Sequence, residues 1–138
     1  MAKTLPHSVT IVIDKNKQIL LEERLDDGYF DFPGGGKEDN ETEEEAAKRE
    51  LFEETGLIAD ELIFFKVYEG DITHYVYYNG NEIYGIDSIY LVYKYHGNLT
   101  PQKEEVKSLE YYDIDNLPDK MSIRNKQIIK DLKAEHIF

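Results

Sequence analysis

The order of apolar, polar and turn-forming residues divides the chain into several short strands and two helices. Runs rich in β-branched and apolar residues predict strands, and clusters of Asp, Asn and Gly between them predict turns. The predicted strands are residues 8–13, 18–24, 62–68, 73–78, 82–95 and 106–112. The pair Asn79-Gly80, which lies between two of these segments, is a strong hairpin signal. Residues 25–37, with the run Pro33-Gly34-Gly35-Gly36, are predicted to be a loop.

The first predicted helix begins and ends at residues with specific chemistry. The sequence Thr42-Glu43-Glu44-Glu45 has the spacing of a capping box, in which the threonine side chain caps the helix and Glu45 reaches back to the cap. Residues 46–55 continue with good helix formers, and Gly56 predicts the C-terminal stop. The segment therefore predicts an acidic helix that follows the glycine-rich loop.

The second predicted helix closes the chain. Ser122 predicts its cap, residues 123–134 its body, and Ile128, Ile129 and Leu132 its apolar stripe. The predicted order is then β-β-α-β-β-β-β-α. A chain of this kind forms a mixed sheet with helices packed against it, which is an α/β fold.

Length and composition indicate one globular domain that covers residues 1–138. At 138 residues and 41% apolar composition the chain can bury a core without staples. The absence of cysteine excludes disulfides, thiolate metal sites and cysteine nucleophiles. No apolar run approaches the length of a membrane helix, and the N-terminus does not have the pattern of a signal peptide. We therefore expect a cytoplasmic protein, with a homodimer left open.

The net charge of −13 narrows the classes of partner. A nucleic-acid binder normally carries a basic face, and anionic membranes repel an acidic chain, so neither is expected as a partner. Over half of the excess lies in residues 38–54, where nine acidic residues face two basic ones, a local charge of −7. Such a cluster is either a solvated helix face or a cation site, and charge alone does not decide between them.

The spacing of three glutamates favours the cation site. At 100° per residue, Glu50, Glu53 and Glu54 project from one face of the predicted helix. Like charges at this spacing destabilise a helix by about 0.2–0.5 kcal/mol per pair, so stability alone does not explain them. Mg²⁺ and Mn²⁺ prefer oxygen ligands and are often held jointly by carboxylates and a substrate phosphate. The triad therefore predicts a Mg²⁺ or Mn²⁺ site that works on a phosphate compound.

The flanks of this triad carry a family resemblance. Read from Gly35, the chain is Gly35-x5-Glu41-x7-Arg49-Glu50-Leu51-Phe52-Glu53-Glu54-Thr55-Gly56-Leu57. This segment resembles the Nudix box, G-x5-E-x7-R-E-U-x-E-E-x-G-U with U aliphatic, at all nine specified positions. The preceding Phe30-Asp31-Phe32-Pro33-Gly34 also looks like the family, although phenylalanine stands where many members have tryptophan. The resemblance implies a Nudix fold, an α/β/α sandwich with a mixed sheet.

The resemblance also implies an activity and roles for residues. Members hydrolyse a nucleoside diphosphate linked to a group X, with a divalent metal as cofactor and a small nucleotide as substrate. Glu50, Glu53 and Glu54 match the metal-binding and catalytic positions, and Gly35 matches a glycine whose carbonyl ligates the metal. Arg49 matches an arginine that orients a glutamate, and Glu41 matches the outer glutamate near the metal and substrate. Glu50 is favoured as the general base.

A further acid of the site is expected downstream. Many members use an acid six residues before an aromatic residue in the following strand. Glu105 and Tyr111 have this offset, so Glu105 is the favoured additional metal ligand. Glu104, or no acid from this segment, stays open.

The residues that contact the nucleoside are less well defined. Phe30 and the tyrosines of the predicted strands could stack on a base or ribose, or could simply pack in the sheet. Asn125, at the start of the last helix, could hydrogen-bond a base edge or act locally as a cap. Two functions therefore stand: a metal-dependent nucleotide pyrophosphatase acting on nucleotide sugars, ADP-ribose or nucleoside triphosphates, and a non-catalytic Nudix-like nucleotide sensor. The complete set of box carboxylates favours the enzyme.

Overall fold

The computed structural model describes residues 2–76, 79–101, 104 and 106–138. It contains ten strands, two α-helices and one 3₁₀ turn within those ranges. In chain order they are β1 (Lys3–Val12), β2 (Ile19–Arg24), β3 (Phe30–Asp31), β4 (Gly34–Gly36), α1 (Glu43–Thr55), β5 (Ile58–Ala59), β6 (Ile63–Tyr68), the 3₁₀ turn (Asp71–Thr73), β7 (His74–Val76), β8 (Glu82–Val92), β9 (Tyr95–His96), β10 (Val106–Tyr112) and α2 (Ile123–Ala134).

The main sheet has five strands in a mixed arrangement. Its order is β4-β1-β8-β6, and β7 also pairs with β8. Strands β1 and β8 are parallel over their full length, from Lys3 opposite Ile83 to Val12 opposite Val92, and the other pairs are antiparallel. A second sheet has the order β10-β2-β3, and β5 pairs with β9. The mixed sheet and the α/β class expected from the sequence are therefore confirmed.

Two apolar clusters lie on the two faces of β1, because its side chains alternate between faces. Val9 and Ile11 point into the cluster that contains Ile128 and Leu132 of α2. Val12 points into the cluster that contains Leu51 of α1. The helices therefore cover opposite faces of the main sheet.

Both helices have the ends that the sequence predicted. Thr42 and Glu45 form the reciprocal hydrogen bonds of a capping box, and Gly56 adopts a left-handed conformation with φ of 81°. Ser122 accepts a hydrogen bond from the backbone N–H of Asn125 at the start of α2.

Several strand boundaries differ from the sequence prediction. The first strand begins at Lys3, five residues earlier than predicted, because these earlier residues also pair with β8. The predicted loop 25–37 contains the short strands β3 and β4. The segment 73–78 begins in a 3₁₀ turn and continues as β7, while Tyr77 and Tyr78 lie outside the described residues. The long strand predicted to Tyr95 ends at Val92.

Candidate active site

A three-glycine strand brings the loop of the sequence motif against the C-terminal half of α1. Strand β4 pairs antiparallel with β1, which places Gly35 opposite Ser8. A Cβ atom added at Gly35 would overlap the carboxylate of Glu50. Gly35 is therefore required at this position, because the Glu50 carboxylate lies directly against its backbone.

Arg49 connects this loop to the helix. Its Nε and Nη2 donate to the two carboxylate oxygens of Glu41 at 2.6 and 2.9 Å, and Nη2 also donates to the carbonyl of Gly36 at 3.0 Å. Its Nη1 donates to Glu50 at 2.9 Å and to Glu53 at 3.1 Å. The hydrogen bonds from Arg49 lower the pKa of Glu41 to about 2. One guanidinium thus fixes the rotamers of three glutamates, which is more than an isolated surface ion pair does.

Three carboxylates converge beside the glycine strand. Glu54 accepts a hydrogen bond from the backbone N–H of Gly34 at 2.9 Å. Burial, together with the charges of Glu22 and Glu50, raises the pKa of the Glu54 carboxyl far above its usual range. Glu22 lies on β2 and is itself buried, as is Glu50. The fold thus holds acidic groups close together at a place where they repel one another.

This arrangement fits a divalent cation by its chemistry. Carboxylate oxygens are the ligands that Mg²⁺ and Mn²⁺ prefer. Because Gly35 has no side chain, the carboxylate of Glu50 can lie directly beside the Gly35 backbone. Within residues 2–76, 79–101, 104 and 106–138, no group of three or more His, Cys, Asp or Glu side chains is placed so that it could hold a metal ion by itself. Mg²⁺ usually takes only one or two carboxylates and keeps water and phosphate as its other ligands, so an incomplete shell is compatible with it.

A cavity of about 340 Å³ lies next to the same glycines, on the α2 side of the main sheet. Its lining includes Gly34, Gly35 and Gly36 of β4 and Arg124 and Asn125 of α2. Phe30 and the exposed rings of Tyr29 and Tyr75 contribute aromatic surface. This volume and mixture of aromatic and polar walls are typical of a small-molecule site.

A polar network forms part of the cavity wall. Asn125 is only 1% exposed, and its side chain donates to Asp31 at 2.7 Å. Arg124 donates to the Asn125 amide oxygen at 2.8 Å, to Asp31 at 3.2 Å and to Asp87 at 2.9 Å. Asn125 is therefore more than a local cap, since its amide is part of a network that joins α2 to β3 and β8.

The structure brings most of the predicted site residues together. Glu50 lies against Gly35 and Glu54 bonds to Gly34, and these two glycines line the cavity although the glutamates do not. Phe30 and Asn125 line the cavity, and Glu53 lies beside Arg49. Glu41 is held against Arg49 and does not line the cavity. Glu105 lies outside the described residues.

Sequence reasoning missed four acidic or basic residues that the fold adds to this region. They are Glu22, Asp31, Asp87 and Arg124. The only available signal was a charged residue next to an apolar run, as at Glu22 and Asp87, and this signal does not reveal which groups meet in space.

Neither helix of the described residues is long and apolar enough to cross a membrane.

Comparison with known proteins gives one consistent family. The family model described as NUDIX domain matches residues 4–132. Over 123 residues the chain is 33% identical to the ADP-ribose pyrophosphatase of Methanocaldococcus jannaschii, a match that covers 87% of this chain and 68% of that protein.

Solved structures agree on the fold. The crystal structure of a MutT NUDIX hydrolase from Burkholderia pseudomallei superimposes with a TM-score of 0.78 at 20% identity, over 93% of this chain and 97% of the other. The NUDIX domain of Shewanella oneidensis NrtR, crystallised with ADP ribose, superimposes with a TM-score of 0.77 at 14% identity, over 98% and 90% of the two chains.

Proposed function

The chain belongs to the Nudix hydrolase family, and on that premise we propose that it hydrolyses the pyrophosphate link of a nucleoside diphosphate joined to a further group. The observation that carries the proposal is the convergence of Glu22, Glu50 and Glu54 beside Gly34 and Gly35, two glycines that also line a cavity large enough for a nucleoside. The chain has the Nudix fold, with the mixed sheet and the two covering helices described above.

A divalent cation, Mg²⁺ or Mn²⁺, is the cofactor of the proposed reaction. Glu50, Glu53, Glu54 and the carbonyl of Gly35 are the groups that would hold it, and Glu22 joins them as a neighbouring carboxylate. When bound, such a cation neutralises phosphate oxygens and lowers the pKa of an attacking water.

The protein's own residues do the remaining work. Glu50 accepts the proton of the attacking water, whose oxygen forms the new bond to phosphorus while the bridging oxygen leaves with the other phosphate. The products are a nucleoside monophosphate and a phosphorylated group. Arg49 is a positioning residue: its hydrogen bonds to Glu41, Glu50 and Glu53 hold the acids in place while the substrate binds.

The cavity gives the substrate an orientation. The phosphates lie at Gly34–Gly36, next to the acidic cluster, and the nucleoside occupies the space between Phe30 and Arg124. Glu41, which is bonded to Arg49, then supports the acids rather than contacting the substrate directly. Glu105 keeps its sequence-based role as the additional metal ligand.

ADP-ribose is the first substrate to test. The relative from Methanocaldococcus jannaschii is named for ADP-ribose hydrolysis, and the Shewanella oneidensis domain was crystallised with that compound. Nucleotide sugars and nucleoside triphosphates contain the same pyrophosphate link and form the comparison panel.

The test is a product assay with each compound in the presence of Mg²⁺ or Mn²⁺. We expect ADP-ribose to yield AMP and ribose 5-phosphate, a chelator to abolish turnover and added metal to restore it. Glu50→Gln is expected to reduce kcat by at least about 100-fold, as loss of a general base or a ligand does. Glu44→Gln, an exposed change in the first turn of the same helix, is the matched control. Turnover in excess chelator, or equal rates for the two variants, would refute the proposal.

A further inference from the structure

His7 lines the cavity, and its two ring nitrogens have different surroundings. The side chain is 20% exposed, but Nδ1 is buried and lies 3.4 Å from Oδ1 of Asp87. Nε2 makes no hydrogen bond to any residue in the described ranges and is not itself buried. One nitrogen therefore faces the protein, and the other is accessible to a molecule in the cavity.

Strand pairing determines where His7 lies in the cavity. On β1 it is opposite Gly36 of β4 on one side and opposite Asp87 of β8 on the other. Neighbouring strands are about 4.8 Å apart, so His7 is one strand spacing from each of them. In the proposed substrate orientation the phosphates lie at the glycine strand, and the nucleoside extends towards Arg124, which bonds to Asp87. The sugar, which joins the two, then lies over His7.

Asp87 is the group that orients the His7 ring. Its side chain is only 5% exposed, and its Oδ2 accepts a hydrogen bond from Arg124 Nη1 at 2.9 Å. The missing side chain at Gly85 leaves room for Oδ1, which a Cβ atom there would overlap. At 3.4 Å the contact of Oδ1 with His7 Nδ1 is long, and neither buried atom has another hydrogen-bond partner in the described part of the chain. Such contacts in an empty site commonly shorten when the ligand binds, so we expect a ligand at Nε2 to tighten this pair.

The chemistry of Nε2 fits a hydroxyl group. An ionised carboxylate can only accept hydrogen bonds, so Asp87 keeps a hydrogen on Nδ1 of His7. Nε2 is then an acceptor when the ring is neutral and a donor when the ring is charged. A hydroxyl group both donates and accepts, so it can pair with Nε2 in either form, whereas an ionised phosphate oxygen can pair only with the charged ring. A ribose hydroxyl is therefore the nucleotide group that suits Nε2 best.

We propose that His7 is a substrate-binding residue that recognises a ribose hydroxyl, and that Asp87 is the positioning residue that holds its ring. The cavity then prefers a ribonucleotide to the same nucleotide without that hydroxyl. This inference rests on the proposed function, because it assigns the cavity to the nucleoside half of the substrate. It also ranks ADP-ribose and ribonucleotide sugars above deoxynucleoside triphosphates as substrates.

Equilibrium binding of nucleoside 5′-monophosphates, measured by calorimetry in the presence of Mg²⁺, tests the inference without requiring turnover. The probes are AMP and GMP, each compared with its 2′-deoxy and 3′-deoxy analogues, so that base and phosphate stay constant within a set. We expect at least one deoxy analogue to bind about fivefold or more weakly than its parent, because Nε2 loses its partner. If every analogue binds as tightly as its parent, or if no nucleotide binds, the inference is wrong. The product assay for ADP-ribose decides the proposed function separately.

Variants of the pair distinguish recognition of the sugar from general stability. His7→Phe keeps a ring but removes both nitrogens, so it should reduce the preference for the parent nucleotide below about twofold, and His7→Leu makes the same test if phenylalanine does not fit. Asp87→Asn should also reduce the preference, and combining it with His7→Phe should cause no further loss, because Asp87 acts through His7.

The matched control is His96→Phe, since the Nδ1 atom of His96 lies 2.8 Å from Asp60 in an exposed pair outside the cavity. This variant should retain the full preference. If His7→Phe weakens the parent and deoxy nucleotides equally, His7 contacts a group that they share, and the inference is wrong. If Asp87→Asn leaves the preference intact, Asp87 does not position the ring.

Discussion

Gly35 and Gly36 are neighbours in one short strand but meet different surroundings. A Cβ at Gly35 would overlap the Glu50 carboxylate, whereas a Cβ at Gly36 would meet no atom within 4 Å. Alanine substitutions at the two positions therefore distinguish the effect of an added methyl group on the strand from its effect on the acidic cluster.

The first prediction uses this pair. Gly35→Ala is expected to lower kcat by at least about tenfold, because Glu50 must move away from the reacting phosphate, and small displacements of catalytic groups are costly. Gly36→Ala is expected to stay within about threefold of the unmodified protein. Steady-state rates and melting temperatures of both variants provide the check. Equal losses for the two alanines would mean that the strand itself, and not Glu50, is sensitive.

Asp87 supports a prediction about pH. Burial by itself raises the pKa of this carboxyl, but the nearby His7 ring and the charge of Arg124 outweigh it, so the pKa lies below the usual range. A depressed pKa means that ionised Asp87 stabilises the folded state above its unfolded pKa of about 3.9, and that this contribution is lost as pH falls through the folded pKa.

Asp87→Asn is therefore expected to cost about 3 kcal/mol near neutral pH, because it removes the buried carboxylate that pairs with Arg124 Nη1. The difference from the unmodified protein should hold between about pH 7 and 5 and shrink below about pH 4. Urea denaturation at a series of pH values measures it, with Asp115→Asn as an exposed control that should show almost no difference at any pH. A difference that stays constant down to about pH 3 would contradict the assignment.

At the level of residues, the sequence could predict the groups that share one helix. Glu50, Glu53 and Glu54 follow from helical periodicity alone. Glu22 and Asp31 come from strands far away in the chain, and no local pattern indicates that a glutamate at the end of an apolar strand will face Glu54. These contacts depend on strand pairing, which a single sequence does not display.

At the level of elements, local sequence signals were sufficient to predict a helix or strand where that element is long or capped. Both helices and β10 have ends that caps or apolar runs define. The short strands β3, β4, β5 and β9 have two or three residues each, too few for any periodicity. They form because a neighbouring strand offers hydrogen-bonding partners, so tertiary pairing rather than propensity determines them.

The end of α1 gives an element-scale prediction. Gly56 has φ of 81°, and a Cβ there would lie 2.6 Å from the carbonyl oxygen of Asn98. Gly80 has φ of 90° but open space around it. Both alanine substitutions incur a backbone cost of about 1 kcal/mol, and Gly56→Ala adds a clash with backbone that cannot easily move.

We therefore expect Gly56→Ala to lower the unfolding free energy by at least about 1 kcal/mol more than Gly80→Ala does. It should also reduce turnover, because the last turn of α1 carries Glu53 and Glu54. Denaturant unfolding and kcat, compared for the two variants, test this. Similar stabilities would show that the loop at Asn98 yields to the added methyl group.

At the scale of the whole molecule, the chain has a net charge of −13, so the carboxylates of the acidic cluster are repelled by the rest of the protein as well as by one another. Any cation reduces this repulsion weakly, but a bound divalent ion adds a specific contribution of about 2.7 kcal/mol at 100 times its Kd. The two contributions can be distinguished by comparing Mg²⁺ with KCl at the same ionic strength.

Mg²⁺ is expected to raise the melting temperature by several degrees more than KCl does. Glu54→Gln should abolish this extra rise. Without metal it should leave the melting temperature nearly unchanged, because the raised pKa already keeps the Glu54 carboxyl largely uncharged near neutral pH. Glu69→Gln removes one charge from an exposed position and should keep the Mg²⁺ effect. A metal-free protein strongly destabilised by Glu54→Gln would instead make Glu54 a structural partner.

The parallel pairing of β1 with β8 also has a consequence for the protein's synthesis. Every paired residue of β1 meets a partner 80 positions later, so the first strand leaves the ribosome about 4 to 16 s before its partner is made. During that interval one edge of an apolar strand is open to chaperones and to other nascent chains. Ribosome-bound chains of increasing length should become protease-resistant only after Val92 has emerged, and resistance in chains that end before Glu82 would show that the N-terminal half folds independently. On this account the acidic cluster, whose glycine strand pairs with β1, becomes rigid only once β8 has joined the sheet.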